Sequence, residues 1–74
     1  MVVIEKSDVD FIEKNIPNPK RITKASSVRD ALLFFLDWLD NNRECWDSSG
    51  YNYSALGNQA QRVYDNIRIS NGLV

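Results

Sequence analysis

Three carboxylates, Asp37, Asp40 and Glu44, stand at i, i+3 and i+7, which places them on one face of a helix. Carboxylates so spaced do two kinds of chemistry: they work as acid and base in pairs, and they bind hard divalent cations through oxygen. The rest of the chain supports neither. There is no histidine to act as base or ligand, and no GxSxG, GKS or HExxH signature. A helical domain of 74 residues has little room for a substrate pocket. Asp47-Ser48-Ser49-Gly50-Tyr51 looks like the start of a calcium loop, but its glycine is at the fourth position instead of the sixth and no glutamate follows at the twelfth. No catalytic residue, metal or cofactor is expected.

Cys45 is the single cysteine, which excludes an intrachain disulfide, and with no histidine there is no zinc site of the usual Cys/His type. Nothing beside it lowers its pKa, so an inert, partly buried thiol is expected. Stability must come from packing or from association between chains, because a chain this short buries a small share of its surface.

Charge chemistry is the remaining possibility. The net charge is −1, which gives no overall pull toward nucleic acid or an anionic membrane. Locally the charge is segregated. Residues 20–29 carry Lys20, Arg21, Lys24 and Arg29 without an acid, and residues 30–47 carry Asp30, Asp37, Asp40, Glu44 and Asp47 against Arg43, giving local balances of +4 and −4. The bland reading is two solvated, mutually attractive faces. A nucleic-acid reading would use Lys20, Arg21, Lys24 and Arg29 on phosphates with Arg62 and Arg68 added from the last helix. Against it, about ten residues separate the last two helices, where a helix-turn-helix needs three or four. A third reading lets the acidic stripe imitate phosphates in a target's channel, though −1 is a small charge for that role.

Three helical segments must position these groups, in one all-helical domain spanning residues 1–74. The first is expected after Ser7 as N-cap, with Val9, Ile12 and Ile16 on its buried face, and Pro17 and Pro19 stop it. As an alternative, Met1 to Ile4 form a short strand that pairs with Arg21-Ile22-Thr23, although a two-stranded ribbon is marginal. The second helix starts with Ser26 or Ser27 as N-cap and runs about four turns to Asn41-Asn42. Its inward arc is Val28, Ala31, Leu32, Phe35, Trp38 and Leu39, widened by Phe34 and Leu36, with Leu33 opposite among the acids. Apolar side chains then span roughly 260° of the helix. The third helix, Ala55 to Ile69, is capped by Ser54, carries Leu56, Ala60, Val63, Tyr64 and Ile67 in a stripe of about 100°, and stops at Asn71-Gly72. Gly57, near its start, is expected to cost it little.

A second helix so widely apolar needs cover on most sides, and two other helices supply only part of it. Either Val2, Val3 and Ile4 fold back over Leu33, Phe34 and Leu36, or those residues meet a second subunit or a target. The loop ECWDSSGYNYSALG adds three aromatics. Continuing the second helix at 100° per residue puts Trp46 in line with Val28 and Leu39, so it is expected as the last core residue of that helix. Tyr53, just before the Ser54 cap, is placed to staple onto the third helix. Tyr51 is left without a structural role.

These features lead to the expectation of a small, non-enzymatic regulatory or inhibitor-type protein that binds another protein, as a homodimer built on the second helix. Leu33, Phe34, Leu36, Trp38 and Tyr51 are the expected partner-binding residues. The alternative is a small nucleic-acid-binding regulator using Lys20, Arg21, Lys24, Arg29 and Arg62. The first residues lack a signal-peptide pattern, and the longest apolar run, Ala31 to Leu36, is too short to span a bilayer, so a cytoplasmic location is expected and the Asn52-Tyr53-Ser54 sequon is read as accidental.

Overall fold

Serine hydroxyls begin both long helices. Ser27 Oγ accepts the Asp30 backbone N–H at 3.1 Å and Ser54 Oγ accepts that of Gly57 at 3.2 Å, each taking up an amide the helix itself cannot satisfy. The computed structural model describes residues 2–73 and is all-helical: α1 (Lys6–Asn15), α2 (Lys20–Thr23), α3 (Val28–Asn41), a 3₁₀ turn (Arg43–Cys45) and α4 (Ala55–Ser70). No described helix is long and apolar enough to cross a membrane. The second and third helices of the sequence pattern are α3 and α4, capped as expected.

Two expectations for the N-terminal third are corrected. α1 begins at Lys6 with Glu5 as N-cap and no side-chain cap bond, so Ser7 lies inside its first turn. The buried row becomes Asp8, Phe11 and Ile12, with Val9 only half-buried and Ile16 buried just past the helix end. The Arg21-Ile22-Thr23 segment belongs to a helix, not a strand. Pro19, at φ −60° and ψ −23°, already has helical geometry, and its carbonyl accepts N–H groups from Ile22 and Thr23, both at 3.0 Å. The proline pair therefore ends one helix and begins the next.

Residues 2–4 also form no strand, and Met1 lies outside the described residues. Val3 instead takes both its backbone hydrogen bonds from one side chain: its N–H donates to Asn71 Oδ1 and its carbonyl accepts from Asn71 Nδ2, each at 2.8 Å. Asn71 ends α4, where Gly72 (φ 77°) lets its own N–H reach the Ile69 carbonyl and that of Leu73 reach the Arg68 carbonyl. The two chain ends are thus tied by a single amide. Val2 is buried beside Thr23, Lys24 and Ala25, Ile4 packs half-buried on the core, and Val3 points out.

Phe35, Ile12, Ile22, Leu39 and Ile67 lie in the fully buried centre, where α1, α2 and α4 each bring a side chain to α3. Trp38 stacks edge-on against Phe11 (ring centroids 6.4 Å) and Phe35 (5.8 Å), and Phe35 leans on Tyr64 of α4 (5.9 Å). Trp38, half-buried, is therefore a joint between α1 and α3.

Trp46 departs from the helical extrapolation. α3 stops at Asn41, and Trp46 follows the 3₁₀ turn in extended geometry, pairing with Tyr53 as an isolated antiparallel bridge. Its Nε1–H donates to the Leu39 carbonyl at 3.2 Å, one of the α3 carbonyls without a helical partner. Tyr53 lies on the Trp46 ring at 4.8 Å and donates its hydroxyl to Gln61 of α4 at 2.9 Å. Gly57 is also more than a tolerated glycine. A Cβ there would lie 1.9 Å from the Cys45 carbonyl oxygen, a backbone atom that cannot move aside.

Gly57→Ala should therefore destabilise the fold by about 3 kcal/mol, read as a lower urea midpoint. The intrinsic helix preference alone predicts a gain of up to about 1 kcal/mol. Asp8 gives a second expectation. It is 5 % exposed, and its Oδ2 has no hydrogen-bond partner. Burial pushes its carboxyl above the ordinary 3.8 and the neighbouring Glu5 adds to that, while the Asn66 side chain of α4 offsets part. The folded state thus holds this proton to higher pH than the unfolded chain does. The associated stability is full below the unfolded value and is lost as pH rises through the raised folded one. Asp8→Asn should flatten that slope and raise stability at pH 7 by roughly 1 kcal/mol, with no gain in acid, as followed by thermal unfolding across pH.

Candidate functional site

The face of α3 turned away from the core carries Arg29, Asp30, Leu33, Asp37 and Asp40, because Ala31, Leu32, Phe35 and Leu39 occupy the inward positions of the same helix. Leu33 is 54 % exposed. Beside it runs an open groove of about 540 Å³ between α2 and α3, lined by Arg21, Ala25, Ser26, Asp30, Leu33, Phe34 and Asp37. The Arg21 guanidinium sits 4.6 Å from the centre of the Phe34 ring, a cation–π contact that roofs the half-buried phenyl group. Leu36 is half-buried and stands outside the core cluster.

A second groove, about 530 Å³, lies past the end of α3 between Asp40, Arg43, Trp46 and the turn Asp47 to Gly50. Here the loop is held by its own hydrogen bonds. The Asp47 N–H donates to the Asn52 carbonyl at 2.8 Å, the Gly50 N–H to the Asp47 carbonyl at 3.1 Å, and the Ser49 N–H to Asp47 Oδ1 at 3.0 Å. The Ser49 hydroxyl donates to the same oxygen, and Ser49 Oγ accepts the Tyr51 N–H at 3.2 Å. These donors, Ser49 first, hold the Asp47 carboxyl below the usual value. Gly50 supplies the left-handed φ of 78° that the turn needs. At the tip Tyr51 is 88 % exposed.

Of the expected partner-binding residues, Leu33 is exposed on α3, Phe34 and Leu36 are half-buried on either side of it, Tyr51 stands on the loop beyond the helix end, and Trp38 is half-buried against Phe11 and Phe35. Lys20, Lys24, Arg29 and Arg62 are exposed, Arg21 is engaged with Phe34, and Arg62 stands on α4, which packs on α3 as α2 does. Cys45 is fully buried, and burial, with Glu44 beside it, pushes its thiol up. Among the described residues no three Cys, Asp or Glu are grouped to hold a metal ion. The Arg21–Phe34 roof carried no sequence signal, because twelve residues and a helix break separate the two.

Comparison with protein-family models, with curated proteins and with solved structures gives no match to this chain. Tyr51→Ala should leave the urea midpoint unchanged within about 0.5 kcal/mol, since the ring has no contact to lose, whereas Trp46→Phe should lower stability by about 1 kcal/mol through the lost Leu39 bond.

Proposed function

We propose that this chain is a small, non-enzymatic regulatory or inhibitor-type protein that acts by binding another protein, with Tyr51 as the contact at the tip of its loop and the uncovered face of α3 pairing two copies. The observation that carries this reading is the position of Tyr51. Of the three aromatics in residues 46–53, two are folded inward, and the third is held out into solvent on a hydrogen-bonded loop. A tyrosine displayed on a rigid support loses little conformational entropy when it enters a partner's pocket, which is why such residues dominate contact energies. Action would be by occlusion: the bound chain covers a surface that its target needs.

The test is capture of a partner from a lysate of the source cells with immobilised wild type against Tyr51→Ala. Loss of one specific protein with the Tyr51→Ala variant, at unchanged circular dichroism, supports the reading. Equal capture by both sinks the Tyr51 assignment.

A further inference from the structure

Arg29, Leu33, Leu36 and Asp40 follow one another along α3 at intervals of four, three and four residues. That is the spacing of a helix–helix seam, in which one row faces a neighbouring helix over several turns. Among the described residues no other helix occupies this row. Arg29, Leu33 and Asp40 are exposed, and Leu36 is half-buried and outside the core cluster. The row runs about 16 Å along the helix, from a cation at one end through two leucines to an anion at the other.

Such an order is complementary to its own reverse. Two α3 helices laid antiparallel, with the two-fold axis between Leu33 and Leu36, set Arg29 opposite Asp40 of the second copy and Leu33 opposite its Leu36. The two-fold repeats both pairs. A parallel arrangement would set like charges together, Asp40 against Asp40 and Arg29 against Arg29, and is excluded by repulsion. Asp30 and Asp37 of both copies fall to the same flank of the two-fold, where Arg21 of each copy lies in the groove beside them and offsets part of their charge.

From this complementarity we infer that a second copy of this chain is the occupant of the α3 face, docked antiparallel through Arg29, Leu33, Leu36 and Asp40. This rests on the protein-binding reading above and specifies how the two copies meet. The contact is a single helix pair, at the small end of stable interfaces, so dissociation belongs in the micromolar range, and salt weakens it because its ends are exposed ion pairs. In the dimer each copy keeps its own Tyr51 loop.

Sedimentation equilibrium across micromolar concentrations tests the arrangement. The wild type should be a dimer that dissociates on dilution and in high salt. Arg29→Asp alone, or Asp40→Arg alone, should weaken it about tenfold, because both symmetric pairs become repulsive. The double variant carrying both changes should return to within a few-fold of wild type, since the swap restores both pairs with polarity reversed. Leu33→Ser should sediment as a folded monomer, its helicity checked by circular dichroism. A wild-type monomer throughout, or a double variant no tighter than the single ones, overturns the inference. Neither result touches partner capture through Tyr51, and equal capture by Tyr51→Ala leaves the charge swap still decisive.

Discussion

Where α4 meets the 3₁₀ turn, the Gly57 Cα lies so close to the Cys45 carbonyl that no side chain fits between them. Around this approach the backbone is joined at several points. The Ser54 N–H donates to the Cys45 carbonyl at 2.9 Å, its hydroxyl donates to the Glu44 carbonyl, and the same oxygen caps Gly57. Together these bonds fasten the start of α4 to the 3₁₀ turn that follows α3. Only eight residues, 46 to 53, remain to close the gap, and a loop with its ends so near has to pair Trp46 with Tyr53 at its base. The two rings then fill the space beneath the loop, leaving the tip nothing to fold onto. Tyr51, at that tip, stands exposed.

The face of α3 has a different origin. A 74-residue chain has limited material for covering a central helix, because surface falls slowly with size. α1 covers the Trp38 side through Phe11, α2 covers Phe34 through Arg21, and α4 covers Phe35 through Tyr64. Val2 is spent on the α2–α3 junction and Val3 is held by Asn71 at the opposite end of the chain, so neither reaches Leu33. What stays uncovered is a narrow row of Leu33 and the half-buried Leu36 with Arg29 and Asp40 at its ends.

Legibility from the sequence depended on range. The second and third helices could be read with their caps because Ser27, Ser54 and Asn71-Gly72 act within one turn of their own position, and because the apolar period of α3 and α4 is strong. α1 starts two residues earlier than the Ser7 cap that the sequence suggests would place it, and a buried aspartate at position 8 contradicts the hydrophobic pattern. α2 was missed because Pro17 and Pro19 read as a stop. The second proline also has the φ that starts a helix. Among the site residues, the isolation of Leu33 on the acidic face follows from helix angles and the spare role of Tyr51 from elimination, while the contacts of Trp38 with Phe11 and the extended placement of Trp46 beside Tyr53 depend on residues outside their own turn.

By itself the sequence determined an all-helical chain with one helix too apolar to stand alone, because propensity, capping and periodicity are local and act on neighbours three or four residues away. Tertiary structure alone decided which part of that helix stays bare, that the chain ends meet through Asn71 and Val3, and that Gly57 must be glycine. Each of these is a contact between groups far apart in sequence, and close packing, not local preference, is what permits or forbids it.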